Sequence, residues 1–158
     1  MKRILVVLAL LAAAAPAQWL EHSIPLRDTF PVVDEPTGLI HNPSGNLVYI
    51  HSIRNSPMLA VDGHTREKRV ASAPNVSFPI FVPVGNKIYA DRGGMYDSTI
   101  VILDGFTLEI RDSVRLNDWH TRPVGYSPRQ AKLYVKEGYE GRIAVMDCTG
   151  DSLLGYVQ

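Results

Sequence analysis

The 158 residues include one cysteine, Cys148, so no disulfide can close within the chain, and a lone thiol of this kind reads as a small buried residue in a strand or turn. Beyond position 17 no window of about 11 residues places apolar side chains at helical spacing, which argues against amphipathic helices. No second long apolar run offers a membrane span. Basic residues show no excess or cluster, which excludes a nucleic-acid surface. Neither a Gly-x-Ser-x-Gly elbow nor a phosphate-cradling glycine loop occurs, and no carboxylates recur as a pair with the spacing of a general acid and base.

What is present begins with a leader. Lys2-Arg3 is a basic start, Ile4 to Ala14 is an apolar run well short of the roughly 20 residues that a span needs, and Ala15-Pro16-Ala17 is a small-x-small cleavage site. Residues 1–17 are therefore expected to be a signal peptide, with the mature chain starting at Gln18 and located in the periplasm, at the cell surface or in the medium; an uncleaved anchor is the alternative. No cysteine follows the run to carry a lipid. The mature chain has 14 basic and 16 acidic residues, close to neutral.

Three later stretches can be superposed. Asn42-Pro43-Ser44-Gly45-Asn46-Leu47-Val48-Tyr49, Val82-Pro83-Val84-Gly85-Asn86-Lys87-Ile88-Tyr89 and Ser127-Pro128-Arg129-Gln130-Ala131-Lys132-Leu133-Tyr134 share a Pro, a polar turn, an apolar pair and a Tyr. Each is followed by an acid in register: Asp62, Asp104 and Asp147. A period of about 40 to 45 residues is that of a four-stranded propeller blade, whose faces are buried only by stacking on neighbours. Short alternating or apolar runs separated by Pro, Gly, Asn and Asp give four strands per unit. The expected fold is all-β: three four-stranded antiparallel sheets, with blades at 36–74, 75–119 and 120–158, preceded by a lone strand in 18–35. Each Asp is expected to fix its hairpin by accepting turn amides, and each Tyr to pack between blades with its hydroxyl at a polar rim.

These units resemble the YVTN-type β-propeller repeats of secreted and surface-layer-associated proteins. The matching segments are Tyr49-Ile50-His51-Ser52, Tyr89-Ala90-Asp91-Arg92 and Tyr134-Val135-Lys136-Glu137, then Leu59-Ala60-Val61-Asp62, Ile100-Val101-Ile102-Leu103-Asp104 and Ile143-Ala144-Val145-Met146-Asp147. No unit carries the naming tetrapeptide intact. A closed propeller has about four to eight blades, so three blades and a strand imply an incomplete propeller, expected to be a fragment of a longer propeller protein with further blades; completion by self-association is the alternative.

A rigid repeat scaffold with variable loops suits a non-catalytic module that binds a protein or a glycan, with no cofactor. Possible binding-face residues are Trp119, His120 and Arg122 before the third unit, Arg92 and Tyr96 in the longest loop, and His41 on the first strand of unit one. Trp119 either sits exposed on the face or tucks between blades. His41 and His51 are expected near each other, but two imidazoles without a third ligand make no metal site. The alternative is part of a propeller enzyme, a lactonase or quinone-dependent dehydrogenase, with its active site assembled at a central channel. Catalytic, cofactor and metal residues are not assigned.

Overall fold

Each repeat folds as a meander because its turns are short and its strands alternate. The computed structural model describes residues 36–52, 57–93, 96–139 and 141–157; the expected leader (1–17) and lone strand (18–35) lie outside the described residues. Blade one contains β1 (Gly38–Asn42), β2 (Leu47–His51), β3 (Leu59–Asp62) and β4 (Lys68–Val70). Blade two contains β5 (Ser77–Val82), β6 (Lys87–Asp91), β7 (Thr99–Asp104) and β8 (Ile110–Arg115). Blade three contains β9 (Arg122–Ser127), β10 (Lys132–Glu137), β11 (Arg142–Asp147) and β12 (Ser152–Val157). All three are antiparallel sheets with strands in sequence order.

The ladders share one register. Leu47 lies opposite Asp62, Lys87 opposite Asp104 and Lys132 opposite Asp147. Each of these aspartates caps the turn that follows it: Asp62 accepts from the His64 and Thr65 amides, Asp104 from Phe106 and Thr107, and Asp147 from Thr149 and Gly150. The Thr65 and His64 amides hold the Asp62 carboxyl below its ordinary pKa, so this contribution is present above that range and fades as pH falls through it. The next turn residue donates its amide to the hairpin turn between the first two strands, Gly63 to Asn46, Gly105 to Asn86 and Cys148 to Ala131, each at 2.8 Å. In every blade the two turns at this end are thus clasped together.

Blades stack through the second-strand tyrosines. Tyr49 is fully buried, and its hydroxyl donates to the Gly105 carbonyl of blade two at 2.5 Å while accepting from Asn42 Nδ2 at 2.7 Å. Tyr89 repeats this toward blade three, with its hydroxyl on the Asp151 carboxylate and the Cys148 carbonyl. Beside it Lys87, also buried, donates to Asp151 at 2.7 Å and to Cys148 O at 3.1 Å. The expectation of a hydroxyl at the rim is therefore corrected: in the packed blades a buried phenol finds its acceptor in the neighbour's turn, because an unpartnered one would cost about 1–3 kcal/mol. Tyr89 also packs in the blade two/three core with Ile100, Ile102, Leu133 and Val135, and Cys148 is buried there as expected.

Coverage sets the strand patterns. Every residue of β6 is buried because blade two has a neighbour on both faces. In β10 burial alternates, with Leu133, Val135 and Glu137 turned to blade two. The register predicts unequal costs for one substitution. Tyr49→Phe strands the Gly105 carbonyl and should lose about 1–2 kcal/mol, whereas Tyr134→Phe, whose hydroxyl reaches only Gln130 at 3.5 Å, should stay within about 0.5 kcal/mol of wild type. Urea unfolding of the two variants checks this; equal losses would contradict the assigned role.

Candidate functional site

At the end of the blades opposite the clasped turns, three connections meet between blades two and three: 92–98, 116–121 and 138–141. The middle one is held from beneath by Glu137, which is fully buried. Its Oε1 accepts from the Asn117 amide at 2.8 Å and more distantly from that of Asp118, and its Oε2 faces Arg142 Nε at 3.2 Å as an ion pair without hydrogen-bond alignment. Gly138 adds a second hold by donating its amide to Trp119 O at 2.9 Å. A side chain there would be obstructed twice, since φ is +59° and a Cβ would fall 2.2 Å from Asp118 Oδ2.

On this support stands a group of rings. Tyr96 stacks on Trp119 with centroids 5.1 Å apart and planes at 16°, and Tyr139 meets Trp119 edge-on at 6.3 Å. The Tyr139 hydroxyl lies 2.9 Å from His120 Nε2. Tyr96 and Tyr139 are each about three-quarters exposed and Trp119 is 42% exposed. Of the two readings of Trp119, the exposed one describes the structure.

Beside Tyr139 and His120 lies a cleft of about 220 Å³, also lined by Phe78, Asp91, Thr121, Arg122 and Lys136. The Arg122 guanidinium lies 3.9 Å from the Phe78 ring centroid. Asp91 is nearly buried, and the Thr121 hydroxyl donates to its Oδ1 at 3.3 Å. Burial pushes the Asp91 carboxyl up to about 6 despite hydrogen bonds from Gly93 and Thr121 that favour its charged form. A second hollow of about 290 Å³ shares Phe78 and Arg122 and is also lined by His51, whose Nδ1 is buried without a partner and whose pKa burial lowers.

Backbone strain singles out this place. Among the described residues, six of the eight non-glycine residues with positive φ occupy two turn positions repeated in all three blades: Asn46, Asn86 and Ala131, then Arg66, Leu108 and Asp151. The other two, Phe78 at +50° and His120 at +55°, both line the cleft. A left-handed conformation is costly for residues with bulky side chains and persists where surrounding structure enforces it.

The sequence-nominated residues divide accordingly. Tyr96, Trp119, His120 and Arg122 come together; Arg92 is exposed at the start of the 92–98 connection, its amide bonded to Thr99 O. His41 is exposed on β1 and lines neither hollow. Its expected proximity to His51 is not found: His51 pairs with Gly38, three residues along β1 from His41 and so about 10 Å away along the strand. No three metal-ligating side chains cluster among the described residues.

Solved structures similar to this chain include AztD from Citrobacter koseri, at 19% identity and a TM-score of 0.68 over 87% of this chain. Hydrazine synthase from Kuenenia stuttgartiensis gives 16%, 0.59 and 85%, and a component of a mitotic checkpoint complex 13%, 0.58 and 77%. These are β-propeller proteins. The described residues form three four-stranded antiparallel sheets of this propeller fold. It spans 38%, 39% and 37% of those chains, respectively. No protein-family model and no curated protein matches the sequence.

Sequence reasoning missed Asp91, Phe78 and Tyr139. Tyr139 carried a usable signal, an aromatic in a Gly-flanked connection one blade after Tyr96. Asp91 becomes legible from the repeat alone: two residues beyond the shared tyrosine stand His51, Asp91 and Lys136, three different ionisable groups at one register position of a face. With 3.8 as its ordinary value, the native state holds the extra proton between about pH 4 and 6, so the Asp91 contribution to stability falls as pH rises through that window and is level above it. Carboxyl carbon shifts in an NMR titration should place Asp91 near 6, and Thr121→Val should raise it further. A midpoint at the ordinary value would refute the buried geometry.

Proposed function

We propose that this propeller segment is a non-catalytic, exported binding module, of the YVTN-like kind its repeats resemble, and that the cleft between blades two and three takes a glycan. One observation carries the reading: a group of three exposed rings adjoins, through Tyr139, a polar cleft walled by the two strained residues outside the repeated turns. A pyranose has an apolar C–H face and a rim of hydroxyls. Flat aromatic surface suits the first. The rim requires donors and acceptors of mixed sign at fixed positions, which Asp91, His120, Arg122 and Lys136 supply.

A second reading rests on a narrower observation. Asp91 and His120 line one cleft and His120 meets the Tyr139 hydroxyl, which gathers an acid, an imidazole and a phenol of the kinds that serve in general acid-base chemistry. Binding is preferred because Tyr139 is about three-quarters exposed and so stands in water, where its hydroxyl exchanges protons with solvent.

Export and envelope location follow from the leader reading and belong to this proposal. The test is a glycan array probed with the full chain, followed by calorimetry on any retained sugar. Trp119→Ala should weaken binding about 30-fold, corresponding to about 2 kcal/mol, with the far-ultraviolet circular dichroism unchanged. Full retention by Trp119→Ala, or capture of peptides in place of sugars, would overturn the glycan assignment.

A further inference from the structure

Blade three has one covered face and one open face, and the two interfaces within the chain state what the open one needs. At each interface the residue that begins the second strand meets the left-handed residue of the next blade's last turn. In the first interface these are Leu47 and Leu108, which share one buried cluster. In the second they are Lys87 and Asp151, an ion pair at 2.7 Å. Apolar meets apolar and cation meets anion. The tyrosine two residues on, Tyr49 or Tyr89, reaches the same turn's second residue through the Gly105 or Cys148 carbonyl.

On blade three the corresponding residues are Lys132 and Tyr134. Among the described residues Lys132 has no ion pair, and the Tyr134 hydroxyl has only its long bond to Gln130. Ile143 and Val145 are half-buried where their counterparts Ile100 and Ile102 are wholly buried. Leu154 is more than half exposed.

We propose that this face seats a further four-stranded blade with an acidic residue at the left-handed position of its last turn, which pairs with Lys132 while the turn's second carbonyl accepts from Tyr134. A second copy of this chain does not fit. Its blade one would place Arg66, at φ +65°, opposite Lys132, and like charges in a closed interface are strongly disfavoured. The face of blade one turned away from Tyr49 is moreover already covered, with Ile50, Leu59 and Val61 buried.

The experiment extends the full chain at its C-terminus with a second copy of residues 120–157, whose own Asp151 supplies the acid. Amide exchange followed by mass spectrometry should slow at least about tenfold over β10 and β11 relative to the unextended chain. Asp151→Arg in the appended copy should abolish the protection, and adding Lys132→Asp in the parent blade should restore it with charges reversed. Equal protection by the Asp and Arg extensions would show that the pair does not select the partner. No protection from either extension, or no restoration by the swap, would overturn the proposal outright.

Discussion

A phenol buried between two sheets must find an acceptor, and in this chain it finds one in the next blade's last turn: the Gly105 carbonyl for Tyr49, and for Tyr89 the Asp151 carboxylate, with the Cys148 carbonyl at 3.4 Å. Much else is arranged to keep that turn in place. The turn aspartate fixes the turn from within, and the clasp to the first hairpin turn fixes it from the side. Tyr49 and Tyr89 then tie successive sheets at a constant offset. Burial pushes both phenols' pKa upward, so the donors keep their protons throughout the neutral range. Apolar packing is non-directional and would tolerate sliding; these bonds set where one sheet rests on another.

The same constraint separates strain that belongs to the scaffold from strain that belongs to the site. A left-handed residue recurring at one turn position in three blades is demanded by the hairpin, and the chain meets the demand with Asn, Arg, Leu, Ala or Asp where glycine would be easier. Phe78 and His120 have no such counterparts. Their conformations are held by the neighbourhood: Arg122 lies against the Phe78 ring, and the connection bearing His120 is pinned through Glu137 and Gly138.

The strands and their register were legible in the sequence because both depend on local chemistry repeated three times. Pro and polar turns mark the hairpins, and the Tyr-to-Asp spacing reflects a ladder in which Leu47, Lys87 and Lys132 each face the capping acid. Trp119 and Tyr96 were legible as aromatics in long connections. Their stacking was not, since it depends on the angle between two blades. Lys87 was illegible for a related reason: a lysine among alternating residues reads as solvent-facing, and only the neighbouring blade's Asp151 makes its burial tolerable. His41 lines neither hollow, because a position on an inner strand says nothing about which hollows form beside it.

The division of labour along each second strand explains why chemistry collects where it does. Tyrosine and the residue two further on project from the same face, about 7 Å apart along the strand. The first is committed to the neighbouring turn, so it cannot vary without loosening the stack. The second lies at the opposite end of the interface, beyond the clasped turns, and no inter-blade bond fixes its identity. His51 and Asp91 occupy it at the two interfaces within the chain, and each borders a different hollow. A repeat that holds one position constant while leaving its neighbour free can build a different polar cleft at each interface without altering the fold, and between blades two and three the exposed Tyr139 borders one of them.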